Sequence, residues 1–252
     1  MSVHLDTEGG ILTVTIDRPA RRNAIDRATS AAIAAAMDRL DAEDDLRVGI
    51  LTGAGGQFSA GMDLKAFLAG ERVELPGRGL AGLIRTPPEK PLIAAVEGNA
   101  LAGGFEIALA CDLIVAARSA RFGLPEARRG LIAGSGGLVR LPQRIPPQIA
   151  MELGLTGRMM DAEEAERWGL VNRLTEKGGA LDGARALAAE IASNAPLSVA
   201  ATKRMVSQSP RWPEESVWDR QDAELEPVIN SEDAREGAAS FTEKREPVWK
   251  GR

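Results

Sequence analysis

Apolar positions set out the elements before any chemistry is considered. Residues 11–16, ILTVTI, interleave Ile and Val with Thr and Leu, which predicts a strand that Arg18-Pro19 ends. Asp26 then opens an Ala-rich helix to about Asp41, with Ile33, Met37 and Leu40 one turn apart. Short apolar runs at 48–52, 92–97 and 112–117 read as strands, and VNRL at 171–174 as a late one. A helix is expected over about 104–110. Another follows the turn GSGG, and a third starts at an Asp161/Glu164 capping box and stops at Gly169. Residues 66–90 have no clear period and read as irregular. Beyond about residue 180 the pattern is helical, with Pro196, Pro213 and Pro227 near helix starts or breaks. Strands alternating with helices, followed by helices alone, predict an α/β core with a helical C-terminal section.

Two Gly-rich turns each follow an apolar strand: Ser59-Ala60-Gly61-Met62-Asp63 and Ala102-Gly103-Gly104-Phe105-Glu106. Glycine lets the backbone approach a ligand closely, and a helix start presents free N–H groups. Two such turns side by side would aim two donors at one oxygen, the geometry of an oxyanion hole. Each turn alone is more often just a turn. Glu106 stands in the first turn of its helix, where a glutamate also complements the helix dipole. Glu126 follows Pro125, where pairing with Arg128 or Arg129 on the surface is the simpler reading. Neither GxxxxGK[ST] nor GxGxxG with a later acidic partner occurs, so nucleotide-binding loops of those kinds are not expected.

Composition narrows the chemistry further. The chain has 252 residues and a net charge of −5, which argues against non-specific nucleic-acid binding, including RNA binding. Its one histidine, His4, reads as a surface residue, so a Ser-His-Asp triad or a zinc site lacks the side chains it needs. Cys111 is the only cysteine and lies in a run that reads as buried, so no internal disulfide forms. No metal or separate cofactor is expected, and carboxylates are the leading proton carriers. Without a leader pattern or an apolar run of membrane-spanning length, a cytoplasmic protein is expected.

Several longer segments, in order, resemble the crotonase superfamily, the enoyl-CoA hydratase/isomerase family. They are RPARRNAID at 18–26, LTGAGGQFSAGMDL at 51–64 and PLIAAVEGNALAGGFEIALACDLIVAA at 91–117. RFGLPEARRGLIAGSGGLVRLPQRI at 121–145, LTGRMMDAEEAERWGLVNRL at 155–174 and REGAASFTEKREPVWKGR at 235–252 complete the set. The resemblance implies a spiral of ββα units over residues 1–194 and a helical oligomerisation section over 195–252, building a homotrimer or a dimer of trimers. It implies an acyl-CoA substrate, coenzyme A being part of that substrate. The N–H groups of Met62 and Gly103 would form the oxyanion hole. Arg21, Arg22, Ala24, Ala60, Gly61, Asp63 and Leu64 would lie along the coenzyme A, with Phe241 and Lys244 reaching that of a neighbouring subunit. Glu106 and Glu126 match the two catalytic glutamates of family hydratases, which favours hydration of a trans-2-enoyl-CoA. Isomerisation, carnitinyl-CoA dehydration and non-catalytic acyl-CoA binding are the alternatives. The segment RLPQRIPPQIAMEL resembles the carnitinyl-CoA dehydratase branch. Ala133 departs from the family's usual proline, and Met62 is bulky for its position.

Overall fold

The computed structural model describes residues 2–252. A hairpin of β1 (Val3–Glu8) and β2 (Ile11–Ile16) leads into α1 (Arg27–Ala42). Asp26 caps that helix as expected, its carboxylate accepting the Thr29 N–H at 2.8 Å. Next come β3 (Val48–Gly53) and the short α2 (Leu64–Leu68). The pair β4 (Leu92–Val96) and β5 (Asn99–Leu101) feeds α3 (Gly103–Ala110). The pair β6 (Leu113–Ala117) and β7 (Arg121–Gly123) runs into a 3₁₀ turn at Pro125–Arg129, then α4 (Gly137–Arg140) and α5 (Pro147–Thr156). Then follow β8 (Met159–Asp161), α6 (Ala162–Arg167), β9 (Arg173–Thr175) and α7 (Ala180–Ala192). The helices α8 (Pro196–Gln208), α9 (Val217–Ile229) and α10 (Glu232–Glu243) end the chain.

The first strand of each unit joins one six-stranded sheet, ordered β1-β2-β3-β4-β6-β9, parallel except for the β1–β2 hairpin. The second strands gather in a smaller sheet, β5-β7-β8. Alternate residues of the large sheet serve two cores. Val48, Ile50, Ile93, Ala95 and Val115 face Ala184, Leu187 and Ala188 of α7. Leu51, Ala94, Val96, Ile114 and Ala116 face the main core with Ile33, Met37 and Leu40 of α1. Helices on both faces explain why these strands read as continuous apolar runs.

Some sequence expectations need adjustment. The Asp161/Glu164 box is half made: Asp161 accepts the Glu164 N–H at 2.8 Å, but the Glu164 carboxylate turns to Arg158, 2.7 Å away. Pro227 lies inside α9, close to its C-terminal end. The stretch 66–90 is irregular apart from the end of α2 and a 3₁₀ turn at Leu80–Gly82. No helix among the described residues is long and apolar enough to cross a membrane.

Candidate active site

The small sheet brings the two glycine turns together. Ser59 pairs in parallel with Ala100 of β5: its N–H donates to Asn99 O at 3.1 Å, and the Leu101 N–H donates to Ser59 O at 3.0 Å. Both chains therefore leave the sheet side by side, one as Ala60-Gly61-Met62 and the other as Ala102-Gly103. The approach leaves no room for side chains. A Cβ on Gly61 would lie 2.6 Å from the Gly103 nitrogen, and one on Gly103 would lie 3.3 Å from the Met62 nitrogen. Gly61 also has φ +87°, which only glycine adopts without strain.

Ala102 is the strained member. Its φ of 50° and ψ of −128° lie in a region that L-residues rarely occupy. The fold holds it there through its N–H, which donates to Gly123 O at 2.9 Å, and its carbonyl, which accepts the Glu106 N–H at 3.0 Å. This turn starts α3 abruptly and leaves the Gly103 N–H free. Neither that N–H nor the Met62 N–H has an acceptor among the described residues. Two unpaired donors on touching turns are what an oxyanion needs.

Glu106 is buried, at 3% exposure, on a helix whose every residue is buried. Its carboxylate accepts no N–H of its own helix. Its Oε1 instead accepts the N–H groups of Ser135 at 2.7 Å and Gly137 at 2.9 Å, where the GSGG turn opens α4. Burial pushes its carboxyl above the ordinary range, and the charges of Glu126 and Glu74 push the same way. The two N–H bonds oppose them.

Glu126 sits in the 3₁₀ turn after Pro125, half-buried. It pairs with neither neighbouring arginine; Arg128 donates instead to Thr156 O at 2.7 Å. Its Oε2 is buried without a hydrogen-bond partner, and burial raises its carboxyl above the ordinary range. A carboxyl oxygen so placed favours the neutral acid. The rings of Phe105 and Phe122, with centroids 5.4 Å apart, pin the Glu106 helix to the strand that delivers Glu126.

The family model described as enoyl-CoA hydratase/isomerase matches residues 6–252. This chain belongs to that family. Its structure superposes on an enoyl-CoA hydratase from Mycobacterium tuberculosis H37Rv with a TM-score of 0.98 and 55% identity, covering 100% of this chain and 99% of the other. A carnitinyl-CoA hydratase from Mycobacterium avium matches with a TM-score of 0.80 and 43% identity, over 100% and 99% of the two chains. A carnitinyl-CoA dehydratase of Salmonella paratyphi A is 47% identical over 260 residues, 100% of this chain and 99% of the relative. The crotonase fold expected from the sequence is the fold found.

The loop at Arg21–Ala24, expected along the coenzyme A, is zipped to the first glycine turn. Ala60 N–H donates to Arg22 O at 3.0 Å, Ile25 N–H to Gly61 O at 2.8 Å and Asp63 N–H to Ile25 O at 2.8 Å. Arg21, Arg22 and Leu64 are exposed along it, while Ala24 is buried. Asp63 is engaged within the protein. Its carboxylate caps α2 through Lys65 and Ala66 and pairs with Arg18 at 3.1 Å. Burial would raise its carboxyl, but the bonds from Ala66, Arg18 and Lys65 prevail and hold it low. Phe241, 88% exposed, and Lys244, which ends α10, make no hydrogen bond to these loops with their side chains.

Sequence reasoning missed the groups that hold the site in shape. Asn23, fully buried, donates to the carbonyls of Ala54 at 2.9 Å and Gln57 at 2.6 Å. Ser59 Oγ donates to Asn23 O at 2.8 Å and accepts the Gly61 N–H at 3.1 Å. Ser135 and Gly137 were visible as the GSGG turn, but nothing local to that turn names the carboxylate it serves.

Proposed function

We propose that this chain is a hydro-lyase that adds water across the 2,3 double bond of a trans-2-enoyl-CoA. The supporting observation is the contrast between two carboxyl groups beside one pair of free N–H donors. Conjugation with the thioester makes C3 electrophilic, and attack there moves charge onto the thioester oxygen. The Met62 and Gly103 N–H groups stabilise that charge more than the ground state. Glu106, held as an acceptor by two backbone bonds, takes a proton from water as its oxygen attacks C3. Glu126, favoured as the neutral acid, gives its proton to C2. Coenzyme A enters as part of the substrate, with the loop at Arg21–Ala24 and the Ala60–Leu64 segment along it.

Dehydration runs the same steps backwards, and the relative named carnitinyl-CoA dehydratase makes that direction a second reading. The test is incubation with crotonyl-CoA and with carnitinyl-CoA, followed by mass analysis. A crotonyl product heavier by one water supports hydration. Loss of water from carnitinyl-CoA without crotonyl-CoA turnover supports the second reading, and inertness to both overturns the proposal.

The C-terminal helices are assigned to self-association as a trimer or a dimer of trimers. Among α8, α9 and α10 the buried residues are only Ala201, Asp233 and Ser240, while Val206, Trp218, Leu225 and Ile229 lie exposed. Faces this apolar favour a partner. A monomer in sedimentation would contradict the assignment.

A further inference from the structure

A cavity of about 370 Å³ opens beside the turn that holds Glu106. Two of its walls belong to the site already described. Leu80 packs against the Gly103 turn, where a Cβ would come within 2.5 Å of its side chain, and Ser135 donates its N–H to Glu106. The cavity is therefore placed to receive what the thioester carries beyond C3. Leu80, Ile84 and Val139 give it an apolar part.

The remainder is strongly and unevenly charged. Arg85, Arg140 and Arg211 line it with a single acidic side chain, Glu74. Arg85 and Arg211 make no ion pair and no side-chain hydrogen bond among the described residues, and Arg140 donates only to Ile84 O. Arg140 is destabilised as a cation by burial and by the charges of Arg144 and Arg211. Glu74, whose carboxylate accepts from Ser135 Oγ at 3.4 Å, and Glu106, whose charge favours the Arg140 cation, offset only part of the three positive charges.

We infer that this cavity selects acyl groups ending in an anion, so that the preferred substrates are enoyl-CoA thioesters with a distal carboxylate. Arg85 and Arg211 are the specificity-determining residues, free to take a carboxylate in a charge-assisted bond. The same excess disfavours a distal quaternary ammonium group. The inference rests on the hydratase reading for its chemistry, but selection can be read by binding alone.

Calorimetry with saturated, unreactive thioesters keeps the two apart. Glutaryl-, adipyl- and suberyl-CoA are compared with valeryl-, hexanoyl- and octanoyl-CoA of matched chain length, and with γ-butyrobetainyl-CoA. At least one dicarboxylic thioester is expected to bind about tenfold tighter than its neutral match at low salt, with the advantage shrinking as salt is added. γ-Butyrobetainyl-CoA is expected to bind most weakly. In Arg85→Met and Arg211→Met the advantage should fall severalfold while affinity for hexanoyl-CoA stays within about twofold. Glu74→Gln should enlarge it. Equal binding of charged and neutral thioesters, or a preference that survives loss of both arginines, would overturn the inference. Failure to hydrate both crotonyl-CoA and a trans-2-enoyl-CoA with a distal carboxylate, with the binding preference intact, would count against the hydratase reading alone.

Discussion

The two glutamates occupy opposite kinds of surroundings, although both are withdrawn from water. Glu106 lies on a fully buried helix and reaches the start of another, where two N–H groups hold one oxygen at 2.7 and 2.9 Å. Glu126 lies in a 3₁₀ turn with one oxygen buried and unpartnered. Burial raises both carboxyl groups; two N–H groups of another turn oppose it at Glu106, while at Glu126 only that residue's own backbone N–H does. The difference teaches how neighbours set like residues to the proposed roles of base and acid: fixed dipoles favour one carboxylate, and a buried, unpartnered oxygen favours the neutral form of the other without abolishing its ionisation.

Removing either carboxylate gives the largest effect. Glu106→Gln and Glu126→Gln are each expected to lower kcat for crotonyl-CoA by at least ~10²-fold, with KM little changed. Steady-state kinetics check this, and full turnover in either variant would end the two-carboxylate account. Gly61→Ala tests what the glutamates share. Its Cβ would strike the Gly103 nitrogen and strain a residue at φ +87°, so a fall of about 10²–10³-fold in kcat is expected from loss of an oxyanion donor. A smaller change, Gly137→Ala, presses hardest on the anchored side and less on Leu124, 3.2 Å away. The new Cβ would lie 2.9 Å from Glu106 Cγ and 3.1 Å from its Oε1. A fall of roughly tenfold in kcat is expected from a misplaced base.

The smallest effect concerns stability. Because burial raises the Glu126 carboxyl in the folded chain, its contribution is complete below the ordinary carboxylate range and is lost as pH rises through the raised value. Glu126→Gln keeps the group neutral. Its Tm relative to the parent protein is therefore expected to climb as pH rises from the carboxylate range to neutrality. A Tm difference independent of pH would show that Glu126 ionises as freely folded as unfolded.

The large sheet and α1 were legible because their patterns are local: apolar runs for strands covered on both faces, and Asp26 as a cap. The small sheet was not, since β5, β7 and β8 are three residues each, too short to show a period. The glutamates and both glycine turns were legible as candidates. Their meeting was not, because it depends on Ser59 pairing with Ala100 across that unreadable sheet. Nor was the lack of an ion pair at Glu126, whose neighbour Arg128 donates to Thr156 O instead. The strain at Ala102 carries no sequence signal, since alanine, unlike glycine or asparagine, does not mark a positive φ.

The division of labour between the glutamates is tested most directly by hydrogen exchange at C2. Butyryl-CoA has no group at C3 to lose, so exchange in heavy water reports only the residue that handles the C2 proton. The account predicts deuterium uptake at C2 with the parent protein and with Glu106→Gln, and none with Glu126→Gln. Uptake that survives in Glu126→Gln and disappears in Glu106→Gln would contradict it.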